Sequence, residues 1–145
     1  MPEADAAWAR LYFRRLDQVE DAFAHVDQII KAGVHTPGPH KFMAEFSARL
    51  PGAFVPVIAG PEDVDFNVVG HDKAVGLKRL ADHWGLNLAQ TVAFGGYYND
   101  MEMLNSVGLS VAMANAAKEI RDAADRVAPS NAQDGVLEIL EEILP

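Results

Sequence analysis

Polar residues that could bind an anion and a cation follow two apolar runs in the second half of the chain. The sequence GGYYND, residues 95–100, comes directly after the run at 91–94, and the loop at 114–117 follows the run at 109–113. The Gly-Gly pair lets a ligand approach the backbone closely. The Asn-Asp pair can cap a helix and offer oxygen ligands to a hard cation such as Mg²⁺. With Lys73 to neutralise a phosphate, these residue types predict an anion-plus-cation site of modest specificity.

Strands and helices alternate around these residues. The periodicity predicts helices over 71–84 (with Gly85 as the C-cap), 99–106, 116–124 and 133–144, and strands over 91–94, 109–113 and 126–128. Such alternation favours parallel βαβ units under helical layers. Ligands gather at the carboxyl ends of parallel strands, so we expect the two loops and Lys73 to lie close together.

The first half of the chain predicts a smaller α/β piece. The pattern indicates helices over 4–24 and 40–50, strands over 27–35, 54–59 and 65–69, and loops at 36–39 and 60–63. We interpret Asp63-Val64-Asp65 as a solvated turn that leads into a strand. The composition changes near residues 69–73, which predicts a boundary between segments 1–69 and 70–145.

Composition excludes several classes of protein. The 145 residues include 12 Lys+Arg and 21 Asp+Glu, and the net charge of −9 disfavours binding to nucleic acid. The absence of Cys excludes disulfides, a thiolate nucleophile and Cys-based zinc sites. No apolar run is long enough to span a bilayer, and the N-terminal residues are acidic where a secretory signal is basic. We therefore expect a cytoplasmic protein that does not bind membranes.

Less specific interpretations compete at the same residues. Lys73 could be an exposed lysine at a helix start, and Asn99 and Asp100 could serve only as helix caps. Tyr97 and Tyr98 are expected to be solvent-exposed loop aromatics. The histidines at 35, 40, 71 and 83 include no pair at the i, i+4 spacing of metal ligands, so an ordinary loop pair is favoured over a zinc site at 35 and 40.

The run TVAFGGYYNDMEMLNSVGLSVAMANA, residues 91–116, resembles the last motif of Cof-type haloacid dehalogenase (HAD)-like phosphatases. That motif is a strand, Gly-Asp-x-x-Asn-Asp, a Met-Leu helix and Gly-x-x-Val-Ala-Met-x-Asn-Ala. The tail SNAQDGVLEILEEIL, residues 130–144, also resembles the usual ending of the family. The resemblance is strong over 66–144 and weaker over 25–65. It implies that 70–145 is the C-terminal half of a HAD-like, Rossmann-like core with a parallel sheet, and that 1–69 is part of an α/β cap with an N-terminal helix.

The resemblance also implies a role for each residue of the motif. Lys73 and Asn99 would bind phosphate, Asp100 would support Mg²⁺, and Gly95 and Asn115 would shape the site. Gly96 stands where the family has a metal-binding Asp, so Mg²⁺ binding by this chain is expected to be impaired.

The activity that the resemblance implies is Mg²⁺-dependent hydrolysis of a phosphomonoester of a small metabolite. The family's nucleophile lies in an Asp-x-Asp-Gly-Thr motif, whereas the Asp-x-Asp at 63–65 is followed by Phe66-Asn67. We therefore expect this chain by itself to be an inactive, truncated hydrolase. The alternatives are a non-catalytic module that binds a phosphorylated ligand or a protein, and a decayed reading frame. The exposed sheet edge would be covered by self-association, by a separate chain carrying the first half of the fold, or by the rest of a longer protein of which this chain is a piece.

Overall fold

Residues 3–15, 17–21, 24 and 31–144 are described in a computed structural model, which divides the chain into two units, 1–30 and 31–145. The helices are α1 (Glu3–Tyr12), α2 (Pro39–Phe46), α3 (Lys73–Trp84), α4 (Met101–Leu104), α5 (Lys118–Ala123) and α6 (Gly135–Ile143). The strands are β1 (Ala32–His35), β2 (Phe54–Ile58), β3 (Asp63–Val68), β4 (Val92–Gly95), β5 (Leu109–Met113) and β6 (Arg126–Ala128). The fold class is α/β, and the division at residues 69 and 70 stays a prediction.

The N-terminal helix is shorter than the sequence predicts. α1 ends at Tyr12, and none of the residues described between 13 and 21 is helical. Leu11, Tyr12 and Phe13 at the end of the helix are exposed. A helix of about ten residues is by itself only marginally stable in water. The predicted apolar positions 16 and 23 lie outside the described residues.

The segment 32–68 contains a three-stranded antiparallel sheet with β3 between β1 and β2. The helix α2 covers one face of this sheet. Its Phe42 and Phe46 rings stack with centroids 5.0 Å apart, and both meet the Phe66 ring of β3 at 6.3 and 6.4 Å. Residues 27–30 of the predicted first strand lie outside the described residues.

The run Asp63-Val64-Asp65 begins β3, so its interpretation as a solvated turn is wrong. Alternate residues of a strand point to opposite faces, so two acidic residues on one face can flank a core residue on the other. Val64 is fully buried. Asp63 contacts His35 Nδ1 at 2.9 Å, and Asp65 contacts Lys31 Nζ at 2.5 Å. These acidic residues therefore make cross-strand contacts within the sheet.

The segment 92–128 contains a parallel sheet in the order β4-β5-β6, which agrees with the βαβ alternation. α4 and α5 cover one face, where the buried residues are Ala93, Leu104, Ala112, Ala116 and Ile120. α6 covers the other face, where they are Val111, Met113, Ala128 and Ile139. β5 and β6 have their predicted bounds, while the predicted helices 99–106, 116–124 and 133–144 begin later and end earlier.

α3 carries Lys73 in its first turn because of its N-terminal cap. The Asp72 carboxylate accepts a hydrogen bond from the Val75 N–H at 2.8 Å. At the other end, Gly85 adopts a left-handed φ of 67°, which confirms the predicted C-cap. Among the described residues, no helix is both long and apolar enough to cross a membrane.

Candidate active site

The two predicted loops follow the carboxyl ends of β4 and β5. Gly95 lies opposite Ala112 in the parallel register, so both loops leave the sheet at the same edge. Lys73 reaches the first loop from α3, and its Nζ donates a hydrogen bond to Asp100 Oδ1. The structure thus brings Lys73, Gly96 and Asp100 together at one edge, and their individual roles stay predictions.

The two predicted asparagines occupy different positions. Asn99 is half-buried in the short 3₁₀ turn Tyr98–Asp100, next to the Asp100 carboxylate. Asn115 is exposed in the turn after β5, where the Ala116 N–H donates to the Met113 carbonyl at 2.9 Å. In the part of the chain that the structure describes, no hydrogen bond joins Asn115 to Lys73 or Asp100.

Asp100 is the buried acidic residue of this cleft. Its Oδ1 accepts from Lys73, and its Oδ2 accepts from the backbone N–H groups of Gly96 at 2.9 Å and Tyr97 at 3.2 Å. Burial alone would raise the pKa of Asp100. The hydrogen bonds from Lys73, Gly96 and Tyr97 and the lysine charge outweigh burial and hold the pKa below its usual range. The carboxylate is therefore ionised at neutral pH, and both of its oxygens accept hydrogen bonds.

The adjacent glycines of the loop meet different surroundings. A Cβ on Gly95 would lie 2.7 Å from Asp100 Cβ and 3.1 Å from a methyl carbon of Leu104. A Cβ on Gly96 would meet nothing within 4 Å. Gly95 is therefore required for the close approach of the Asp100 side chain, whereas the space beside Gly96 is open.

The donor set of the cleft does not fit a Mg²⁺ ion. Mg²⁺ prefers six oxygen ligands, of which a protein usually supplies one or two carboxylates. Asp100 already accepts hydrogen bonds on both oxygens, Gly96 has no side chain, and the Lys73 charge would repel the ion. Within the described residues, no group of three or more His, Asp or Glu side chains could hold a metal ion.

Tyr98 connects the loop to two helices. Its hydroxyl donates to Glu119 of α5 at 3.1 Å, and its ring meets the His40 ring of α2 edge-on, with centroids 6.1 Å apart. Burial raises the pKa of Tyr98 most, and the hydrogen bond to the Glu119 carboxylate and its negative charge raise it further. Both Tyr97 and Tyr98 are half-buried, so the expectation of solvent-exposed loop aromatics is wrong. No sequence spacing signals the contact with Glu119, because 21 residues separate the pair.

A pocket of about 540 Å³ lies beside the same tyrosine. Its lining comes from α2, β2 and the loop, and consists of His40, Met43, Pro56, Val57, Ile58 and Tyr98. The lining is mostly apolar, with one imidazole and one phenol as its polar groups. A pocket of this volume is large enough to accommodate a small organic molecule.

The histidines at 35 and 40 contact different residues. His35 lies on β1, with Nδ1 2.9 Å from Asp63 Oδ1 and Nε2 3.5 Å from Glu62 Oε2. His40 lies on α2 against Tyr98. The first histidine therefore belongs to the antiparallel sheet and the second to the pocket.

Comparison with known proteins identifies the class that this fold and cleft define. The haloacid dehalogenase-like hydrolase family profile matches residues 15–140, so the chain belongs to that family. This confirms the resemblance in the motif and extends it towards the N-terminus.

Individual relatives agree with that assignment. The Escherichia coli 5-amino-6-(5-phospho-D-ribitylamino)uracil phosphatase YbjI is 33% identical over 141 residues, which cover 94% of this chain and 51% of that protein. The Bacillus subtilis phosphatase YitU, named for the same compound, is 40% identical over 73 residues, covering 50% of this chain and 27% of that protein. The crystal structure of TM0651 from Thermotoga maritima matches with a TM-score of 0.71 at 25% identity, covering 99% of this chain and 55% of that one. The chain spans about half the length of the E. coli relative.

Proposed function

We propose that residues 31–145 form the phosphate-holding side of a phosphomonoester hydrolase site, and that the whole activity is hydrolysis of a small phosphorylated metabolite. The observation that carries this is the Lys73–Asp100 pair at the carboxyl end of β4. The Lys73 side chain is 49% exposed while that of Asp100 is 12% exposed, so an external ligand can approach the lysine more readily than the carboxylate. An ammonium group has three N–H donors, and a phosphate oxygen can accept from those not directed at Asp100.

The nucleophile is the group that this chain lacks. The resemblance to the family implies phosphoryl transfer by an attacking carboxylate, in addition to groups that position the phosphate. Asp63 and Asp65 do not meet that requirement, because they contact His35 and Lys31 in the antiparallel sheet. The proposal therefore includes no turnover by the 145-residue chain alone. It also includes no step through Mg²⁺, because the donor set of the cleft does not fit the ion.

The pocket beside Tyr98 supports the proposal that the leaving group of the substrate is a small organic molecule. Its lining suits the non-reacting part of a metabolite, and Tyr98 belongs to the same loop as Asp100. The E. coli and B. subtilis relatives are named for a phosphorylated ribitylaminouracil. A compound of that class, with an aromatic ring and a phosphate on a polyol chain, is a reasonable first ligand for this chain.

Binding and turnover of p-nitrophenyl phosphate test the proposal together. The chain should bind the ester in isothermal titration calorimetry and release no nitrophenolate with MgCl₂. Lys73→Ala should weaken binding about 10–100-fold, since a hydrogen bond to a charged group contributes roughly 1.5–3 kcal/mol. Lys78→Ala is the matched control on the same helix, because Lys78 pairs with exposed Asp82.

Two results would contradict the proposal. One is binding that is equally strong in wild type and Lys73→Ala. The other is turnover that disappears both with EDTA and in Lys73→Ala prepared in the same way, because contaminating phosphatases would survive the substitution.

A non-catalytic binding module is the second candidate function. The observation that favours it is Gly96, because a binding module can function without a metal carboxylate at that position. Saturable ester binding that depends on Lys73, together with failure to restore turnover when the first half of the fold is supplied as a separate chain, would favour this candidate.

The exposed edge of the parallel sheet is relevant to the partners of this chain. β4 pairs only with β5 in the described part of the chain, and Val92 at its start is exposed. A sheet edge of this kind favours pairing with another strand. We include in the proposal either a second copy or a chain carrying the first half, and a cytoplasmic location. Light scattering detects a second copy, and a separate upstream gene that encodes an Asp-x-Asp-Gly-Thr sequence would indicate a partner chain. The same sequence in frame upstream of Met1 would instead indicate that the chain is part of a longer phosphatase.

A further inference from the structure

We infer that residue 96 determines whether this cleft binds a divalent cation, and that with glycine there the Lys73 ammonium takes the cation's place beside Asp100. The inference rests on the proposed function only for assigning the cleft, since its evidence is the geometry of the loop. It predicts that the natural chain has no Mg²⁺ site and that Gly96→Asp creates one.

The backbone does not require glycine at position 96. The glycines with positive φ in the described chain are Gly70 and Gly85, so Gly96 has a conformation that other residues adopt. Its Cβ would meet nothing within 4 Å. Gly95, in contrast, has no room for a side chain against Asp100. The fold therefore explains the first glycine of the pair and leaves the second open to substitution.

A carboxylate at position 96 can reach the one already present. The Gly96 nitrogen donates to Asp100 Oδ2 at 2.9 Å. A Cβ at position 96 would have no Asp100 atom within 4 Å, which leaves room for an ion between the two carboxylates. Two neighbouring carboxylates can share a Mg²⁺ ion that keeps several waters.

The net charge of the Lys73–Asp100 pair and residue 96 changes from zero to negative with this substitution. Lys73 and Asp100 together are neutral, so the natural cleft does not attract a dication. Gly96→Asp would place two carboxylates beside one ammonium, for a net charge of −1. Two close carboxylates repel each other without a counter-ion. The variant should therefore be less stable than wild type without Mg²⁺ and be stabilised by the ion.

Calorimetric titration with MgCl₂ and thermal unfolding with and without MgCl₂ test the inference in wild type, Gly96→Asp and Gly96→Asn. The asparagine variant is the matched control, since it adds a side chain of the same shape without the charge. We expect Gly96→Asp to bind Mg²⁺ at least about tenfold more tightly than the other two proteins. We expect Mg²⁺ to raise the unfolding temperature of Gly96→Asp alone.

Several outcomes would overturn the inference. Wild-type chain that binds Mg²⁺ as tightly as Gly96→Asp would show that residue 96 is not decisive. A folded Gly96→Asp with no gain in Mg²⁺ affinity would show that the two carboxylates do not converge. A Gly96→Asp chain that stays unfolded even with Mg²⁺ would contradict the open space, whereas one that folds only with Mg²⁺ would support the inference. All readouts are independent of ester binding and turnover, so the proposed function can fail or hold separately.

Discussion

The antiparallel and parallel sheets of residues 31–144 each carry a Lys–Asp pair of similar exposure. Lys31 and Asp65 have side chains 54% and 16% exposed, and Lys73 and Asp100 have side chains 49% and 12% exposed. Charge and burial therefore do not distinguish the two pairs. The difference lies in the backbone around each carboxylate.

Asp65 is in the middle of β3, where the N–H groups of the strands serve the sheet ladders. Asp100 follows a parallel strand, and two loop N–H groups point at its second oxygen. N–H groups that converge at a loop form an anion-binding concavity, which the Asp100 carboxylate occupies here. An ion pair thus becomes a candidate site where a strand end supplies N–H donors outside the sheet ladder, and stays structural within a strand.

The largest expected effect comes from neutralising each carboxylate. In Asp100→Asn the new NH₂ group must face either Lys73 or the Gly96 and Tyr97 N–H groups, which are all donors. We expect a loss of about 2–3 kcal/mol in the free energy of unfolding, measured by urea titration. In Asp65→Asn one carbonyl oxygen can still accept from Lys31, so the loss should stay below about 1 kcal/mol. Equal losses in the two variants would remove the distinction between the pairs.

A second prediction concerns the loop that delivers the N–H donors. Gly95→Ala should lower the free energy of unfolding by about 1–3 kcal/mol, because its Cβ would overlap the Asp100 side chain. Gly96→Ala should change it by less than about 0.5 kcal/mol, since the position is open. The same denaturation curves measure both. A costly Gly96→Ala with a tolerated Gly95→Ala would show that the loop is arranged differently.

The smallest expected effect is a pH dependence of the Asp100 contribution. Because folding lowers the pKa of Asp100, the unfolded chain binds this proton more readily. The stability from this group is complete above the unfolded pKa of about 3.9 and is lost as the pH falls through the lower folded value. The difference in stability between wild type and Asp100→Asn should therefore shrink as the pH falls from about 6 towards 3. A difference that is constant over this range would contradict the pKa direction.

The parallel sheet was predictable from the sequence because its strands are short, apolar and separated by helical segments. β5 and β6 have their predicted bounds, and α3 lies between Asp72 and Gly85 as its capping residues indicate. The N-terminal helix was predicted too long, because the apolar periodicity continues past Tyr12, where the helix ends. The start of β3 was not predicted, because acidic residues on both sides of the buried Val64 are typical of a solvated turn.

The candidate site was predictable in its location but not in its bonding. The strand-end rule and the family motif place Lys73 and Asp100 at one edge of the sheet. The direct hydrogen bond between them, and the two N–H donors to Asp100, depend on the backbone path of the loop. The contact of Tyr98 with Glu119 depends on how α5 packs, which residue spacing does not encode.

The alternation of apolar and acidic side chains along β3 also determines the register in which β3 can pair with its neighbouring strands. Val64 and Phe66 point towards one face, where the α2 phenylalanines pack against Phe66, and the carboxylates of Asp63 and Asp65 contact basic side chains on the other. A shift of β3 by a single residue would turn both carboxylates into that aromatic layer. Pairings of β3 in a shifted register are therefore strongly disfavoured, because they would bury the Asp63 and Asp65 carboxylates among aromatic side chains.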